Sequence, residues 1–291
     1  MTGTIIKGIA GFYLVEHEGM RFLCKARGIL RKDSQKPLVG DRVEFEAAAT
    51  EESEASITEI AARRNVLLRP AVSNVDQVLI VLALKKPDPQ LFLLDEYLLM
   101  VEKQGIPAGI LWNKADLAET EEWRQYAAIY ESAGYPVFSF SSRSLEGLDG
   151  LKAFLKGKIT VLAGPSGVGK STLTNLLCPD ARMETGEISR KISRGKQTTR
   201  HTELFPMGED SYLLDTPGFT SVFVDADQDS LRELFPEFWK REGQCRYSGC
   251  RHLSEPDCSV KAAVASGEIS GSRYESYRRL MKELSERRRY G

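Results

Sequence analysis

Gly164-Pro165-Ser166-Gly167-Val168-Gly169-Lys170-Ser171 fits the pattern G-x-x-x-x-G-K-[ST] at every fixed position. The apolar run at 159–163 reads as a buried strand leading into it, and a helix is expected from Lys170. Strand, glycine-rich turn and helix in that order make a phosphate-binding loop. The glycines let backbone N–H groups close around phosphate oxygens, and the helix N-terminus adds its dipole. Lys170 is then placed to reach the β- and γ-phosphates, a catalytic as well as a binding role, and the Ser171 hydroxyl to ligate Mg²⁺. A glycine turn that merely precedes Lys-Ser would need neither the strand nor the helix.

The same texture extends outward from this loop. Residues 77–84 form an almost unbroken apolar run, as expected of a strand covered on both faces. A helix (91–104), a strand (108–112), a helix (119–133), a strand (136–140) and a helix (148–155) should follow. Beyond the phosphate loop a further strand is expected at 212–214. This alternation predicts a doubly wound parallel sheet, an α/β nucleotide-binding domain spanning 67–223.

A phosphate loop alone does not choose its base. Asn113-Lys114-Ala115-Asp116 follows the strand that ends at Trp112. A carboxylate there can accept from guanine N1–H and the 2-amino group, whereas adenine would leave it buried and unpaired. Lys114 would cover the base with its aliphatic stem, and Asn113 would tie this loop to the phosphate loop. Ser141-Ser142, after the next strand, fits a second base-contacting loop. Asp215-Thr216-Pro217-Gly218 follows the strand at 212–214: Asp215 would hold Mg²⁺ through water, and the Gly218 N–H would sense the γ-phosphate. Between them, Gly195-Lys196-Gln197-Thr198-Thr199-Arg200-His201 lies where a switch should supply a threonine to Mg²⁺. Thr198 and Thr199 both qualify, and Thr199 is preferred. The residue after Gly218 is Phe219, which cannot orient a water as the glutamine of many GTPases does. His201 is the nearest polar candidate for that task, with a histidine of no catalytic role as the alternative.

These elements stand in a rotated order. The usual run is phosphate loop, switch threonine, D-x-x-G, N-K-x-D, base loop; here N-K-x-D and Ser141-Ser142 come first. The cyclic order is kept and only the start has moved, which a sheet tolerates if its original ends lie close enough to join. The short stretch Lys156-Gly157-Lys158 would be that join. The segment after Gly218 then runs straight into the C-terminal region.

Two further modules flank this domain. Residues 1–66 carry five short strand candidates (4–9, 12–15, 20–26, 41–47 and 55–60), which suit a small β-barrel of the oligonucleotide-binding or the SH3-like kind. Residues 224–291 hold Cys245, Cys250, His252 and Cys258 and then a charged helix. Three thiolates and an imidazole fill a tetrahedral Zn²⁺ site and leave no position for a catalytic water, so a structural zinc is expected. Around it few large apolar residues stand out. Cys24 and Cys178 read as core residues, and an odd count of five cysteines argues against a disulfide framework.

Net charge is −1, so any nucleic-acid surface must be local. Seven Lys/Arg face two Asp between Arg21 and Arg42, and seven face three Glu in 271–291. These patches suit a phosphate-rich partner such as RNA. A solvated helix laced by Glu275–Arg279 and Glu283–Arg287 pairs is the plainer reading of the tail. No apolar run approaches the ~18 residues of a membrane span, and the first residues lack a signal-peptide pattern, so a cytoplasmic monomer is expected.

Taken together, Ser73-Asn74-Val75-Asp76-Gln77, the loop from Gly164 to Ser171 with Thr172 after it, and Asp215-Thr216-Pro217-Gly218-Phe219 resemble the RsgA family of circularly permuted, ribosome small-subunit-dependent GTPases. The resemblance covers nearly the whole chain. It implies an oligonucleotide-binding barrel, a zinc-binding C-terminal module, and Thr172 as part of the nucleotide site. It also implies a GTP hydrolase that binds the small ribosomal subunit and its rRNA late in assembly, with binding and release governed by nucleotide state. A GTP-responsive RNA-binding module with little hydrolysis, or a signalling GTPase with protein partners only, are the rival readings.

Overall fold

The structure is a computed structural model that describes residues 1–27, 36–47, 54–68, 70–179, 202–215 and 226–290. Five strands, β1 (Thr2–Ile9), β2 (Phe12–His17), β3 (Met20–Ala26), β4 (Arg42–Glu46) and β5 (Ala55–Ile60), close into a barrel in the order β1-β2-β3-β5-β4. β1 pairs antiparallel with both β2 and β4, while β3 runs parallel to β5. This is the oligonucleotide-binding type of barrel, and the SH3-like option falls away. Two-residue turns at 10–11 and 18–19 have positive φ at both positions, the geometry that suits the twist of hairpin strands. Ile5, Val15, Cys24, Val43, Phe45 and Ile57 fill the barrel.

A ribbon that the sequence did not announce follows the barrel: β6 (Val66–Leu68) and β7 (Ala71–Ser73) pair antiparallel. Asp41 ties it down. Its buried carboxylate accepts from Arg63 Nε and Nη2, from the Leu38 N–H and from Ser73 Oγ at 2.6–2.7 Å. A buried carboxylate so fully bonded is a structural group.

The remaining strands are β8 (Gln77–Ala83), β9 (Ala108–Asn113), β10 (Val137–Ser139), β11 (Ile159–Ala163), β12 (Leu204–Gly208) and β13 (Ser211–Asp215). They form one sheet in the order β10-β9-β8-β11-β13-β12. Every residue of β8, β9 and β11 is buried, as their unbroken apolar runs require. The sheet is not purely parallel, however. β12 pairs antiparallel with β13 at the edge. Pro206 hides this strand from a pattern reading, because proline is tolerated only where no ladder partner waits on one side.

The helices are α1 (Leu91–Glu102), α2 (Thr120–Ala133), α3 (Leu148–Leu155), α4 (Lys170–Leu177), α5 (Pro236–Trp239), α6 (Ser259–Ser266) and α7 (Gly271–Tyr290). Two compact units result: Met1–Val78 with Leu151–Ala163 and Lys170–Thr220, and Leu79–Gly150 with Gly164–Gly169 and Ser221–Gly291. In the first, the join at 156–158 is short and held: the Gly157 N–H donates to Ser211 Oγ, and Lys158 Nζ donates to Gln77 Oε1 and the Phe154 carbonyl.

In the second unit the C-terminal module has a larger core than its charged sequence suggested. Phe235, Phe238, Tyr277, Leu280, Met281 and Leu284 pack together with Leu99 of α1. Phe238 meets Phe235 and Tyr277, each with ring centroids 5.0 Å apart. The apolar residues of α7 recur at helical spacing and face inward, so its high charge lies on the other face. One ion pair differs from expectation: Glu275 pairs with Arg278 in place of Arg279, which pairs with Glu283, while the side chain of Arg287 lies outside the described residues. Arg273, counted above as part of a basic surface, is buried.

Candidate nucleotide site and metal cluster

β9 ends at Asn113, buried beside the phosphate loop. Its Nδ2 donates to the Val168 carbonyl at 2.8 Å, and its Oδ1 accepts from the Lys114 N–H at 2.7 Å. Lys114 has φ +60°, which turns the chain into the short 3₁₀ segment Ala115–Leu117 that carries Asp116. The close approach of the base-side loop explains Gly169, and that of strand β8 explains Gly164. A Cβ on Gly169 would lie 2.4 Å from Asn113 Nδ2, and one on Gly164 2.2 Å from the Val81 carbonyl oxygen. Both also have positive φ, at +97° and +130°.

The Lys114 side chain does something residue type does not disclose. Its Nζ donates to the Gly167 carbonyl at 2.8 Å and also to the Lys86 carbonyl, so its charge bridges the phosphate loop and the segment leaving β8. Ser141 is fully buried and gives its hydroxyl hydrogen to Asp116 Oδ1 at 2.7 Å. The Arg143 and Ser144 N–H groups donate to the same hydroxyl at 3.2 Å each. With its lone pairs taken, Ser141 can only donate toward Asp116, which fixes the plane of that carboxylate. Ser141 thus orients the acid.

Pro165, Ser166, Lys170, Ser171 and Thr172 follow in the phosphate loop and the first turn of α4, Ser142 follows Ser141, and Asp215 closes β13 with Leu162 as its neighbour on β11. Thr198, Thr199, His201, Gly218 and Phe219 lie outside the described residues. The contact made by the Lys86 carbonyl left no trace in the sequence, since any residue carries that acceptor.

A second cluster lies in the C-terminal module. The ligand atoms of Cys245, Cys250, His252 and Cys258 all fall within 4.8 Å of one another. Cys245 Sγ is 3.9 Å from Cys258 Sγ, and His252 Nδ1 is 3.3 Å from Cys258 Sγ. Cys258 also caps α6, accepting from the Lys261 N–H at 3.5 Å. Burial pushes the Cys250 thiol up to about 12 and raises that of Cys258. Burial also holds the His252 imidazole below its ordinary value, in its neutral, ligating form. At Cys245 burial works against the thiolate, but hydrogen bonds from the Ser259 hydroxyl and N–H, together with those from Cys258 and Cys250, lower the thiol. Buried thiols so packed become thiolates together only around a cation. Three sulfurs and one nitrogen are compatible with zinc.

The family model described as the RsgA GTPase matches residues 60–225, and that of the RsgA N-terminal domain matches residues 2–57. The chain belongs to the RsgA GTPase family. A relative from Agathobacter rectalis is 46% identical over the whole of both chains, and one from Alkaliphilus metalliredigens is 45% identical over 99% of each. Both are named small ribosomal subunit biogenesis GTPase RsgA. Among solved structures, YloQ, a circularly permuted GTPase, superposes with a TM-score of 0.81 at 36% identity, over 98% of this chain and 95% of its own. YjeQ from Thermotoga maritima gives 0.78 at 35% identity, over 97% and 98%. An RsgA GTPase is a GTP-hydrolysing enzyme that works with GTP, GDP and Mg²⁺. The rotated motif order is therefore the circular permutation of this family.

Proposed function

We propose that this GTPase binds the small ribosomal subunit through its rRNA, acts late in the subunit's assembly, and docks or leaves as a monomer according to nucleotide state. The carrying observation is full-length similarity, at 46% and 45% identity, to relatives named for biogenesis of that subunit. Its parts are a barrel at 1–66, a GTPase domain at 67–223 and a zinc module at 224–291. Asp116, oriented by Ser141, accepts from the guanine edge, with Asn113, Lys114 and Ser142 completing the base side. The backbone from Gly164 to Gly169, with Lys170 and Thr172, cradles the phosphates. Ser171, Thr199 and, through water, Asp215 would hold Mg²⁺, whose charge offsets that developing on the phosphate oxygens. The Gly218 N–H marks the γ-phosphate, and His201 orients the attacking water.

Local charge supports an RNA partner more modestly than the sequence count did. Within the barrel's basic stretch, Lys25 pairs with Glu54 at 3.2 Å and Arg27 with Glu46. Docking should accordingly draw on a few phosphate contacts and weaken with salt. Co-sedimentation with purified small subunits tests this. Binding is expected with a non-hydrolysable GTP analogue, less with GDP, and less of either as salt rises. Failure to co-sediment at any salt concentration would point to protein partners alone.

The zinc assignment has its own test. Metal analysis should find one zinc per chain, and Cys250→Ser should lose it. Because an aromatic core also holds the module, that variant should still fold, at a cost of about 3 kcal/mol, or roughly 10 °C in melting temperature. A metal-free native protein, or an unchanged melting temperature in Cys250→Ser, would contradict a structural zinc.

A further inference from the structure

Arg273, at the start of α7, is 1% exposed, and its guanidinium is bonded on three sides. Nε and Nη2 donate to the two carboxylate oxygens of Glu237 on α5, at 2.7 and 3.1 Å. Nη1 donates to Asp95 Oδ1 on α1 at 2.7 Å, across 178 residues of sequence. The plane also lies 4.6 Å from the Phe235 ring centroid and 5.7 Å from that of Tyr130 on α2. Tyr130 closes the cluster, its hydroxyl contacting Asp95 Oδ1 at 3.1 Å and the Leu91 carbonyl, at the first residue of α1, at 3.4 Å. One cation thus joins α1, α2, α5 and α7.

Two of these four, α1 and α2, frame the base-side loops. α1 begins five residues after Lys86, whose carbonyl receives the Lys114 ammonium. α2 begins four residues after Asp116, and its first turn supplies Glu122, which pairs with Lys85 at 2.7 Å. The segment 85–90 is therefore held by α2 at one end and by the Tyr130–Leu91 contact at the other. On the far side of Arg273, α7 grips the metal-cluster loop: Tyr274 donates to the His252 carbonyl and Tyr277 to the Arg251 carbonyl, each at 2.7 Å.

A buried ion cluster of this kind adds little net stability over apolar packing of the same shape, but its directional bonds admit one geometry. The position of α1 against α2 sets where Lys86 meets Lys114, and hence where Lys114 meets the phosphate loop. We propose that Arg273 is a positioning residue for guanine-nucleotide binding, through which the C-terminal module sets the geometry of the Lys86–Lys114–Gly167 bridge. The effect falls on ground-state binding and not on the chemical step, because the bridge touches the loop that holds nucleotide throughout the reaction. A change that weakens substrate and transition state alike raises KM and leaves kcat.

The inference rests on guanine nucleotide occupying the Asn113–Asp116 and Gly164–Ser171 loops. It is tested in the full-length protein with Arg273→Met and Arg273→Lys, the second keeping the charge but losing the fork. GDP affinity is measured by calorimetry well below each variant's melting temperature, and steady-state GTP hydrolysis alongside. Arg273→Met is expected to weaken GDP binding and raise KM for GTP by about 5- to 10-fold, with kcat within about twofold of the native value. Arg273→Lys should fall between the two. If Arg273→Met does not fold, Tyr130→Phe, which removes only the hydroxyl link, should weaken GDP by about 2- to 3-fold. A lower melting temperature with native GDP affinity in the variants that fold would make the cluster merely structural and overturn the proposal. Asp116→Asn keeps the two readings apart: if it retains native affinity, the placement of the nucleotide fails, whereas loss there with native affinity in the Arg273 variants fails the positioning role alone.

Discussion

Asp116→Asn is expected to weaken GTP binding by on the order of 10²–10³-fold and to gain affinity for xanthosine triphosphate. In the proposed site two charge-assisted hydrogen bonds from guanine would end on this carboxylate, and an amide could not accept both. The surroundings also decide how the amide would sit. Ser141 has its lone pairs occupied by the Arg143 and Ser144 N–H groups, so its hydrogen must go to the side chain at 116. It will hold the amide oxygen and leave the NH₂ for the base edge, where xanthine offers a carbonyl in place of the 2-amino group. Competition between the two triphosphates for the variant, measured by calorimetry, checks both halves of the expectation. Native GTP affinity would remove Asp116 from the site.

Much of the fold could be read from residues whose local pattern and tertiary role agree. The runs at 77–84, 108–112 and 159–163 are apolar because their strands are buried on both faces, so pattern and position carry the same message. The barrel strands were found for the same reason, and only their closure, β1 on β4, needed coordinates to separate one barrel type from another. Reading failed where two demands on a residue conflict. Pro206 is a poor strand former sitting in an edge strand that can accommodate it. Arg273 looks like surface charge, and nothing nearby in sequence announces that its partners are Asp95 and Glu237. The apolar face of α7 was diluted by the charges between Tyr277, Leu280, Met281 and Leu284. In the site itself, the tie from Asn113 to the phosphate loop could be named because a side-chain amide donates it. The bridge from Lys114 to the Lys86 and Gly167 carbonyls could not, because its acceptors belong to the backbone.

The second large effect concerns activation. Phe219 follows Gly218 and has no group that can orient a water, so the isolated enzyme lacks the side chain many GTPases use for that step. His201 is the candidate within the chain, and it lies in the polar stretch that also holds Thr199. A partner that completes the site would supply what Phe219 cannot. Trans-acting activators of GTPases raise rates by roughly 10³–10⁵-fold through such completion of the site, and an acceleration on the order of 10³-fold is expected here. His201→Ala should then lower the stimulated rate more than it lowers GTP affinity; a full stimulated rate in that variant would leave His201 without a part in the chemistry.

The most direct test of the account is the rate of GTP hydrolysis with and without purified small ribosomal subunits across a salt series. A slow basal rate that rises on the order of 10³-fold with subunits, and loses that stimulation steeply as salt rises, is the predicted result. A rate indifferent to small subunits at every salt concentration would contradict it.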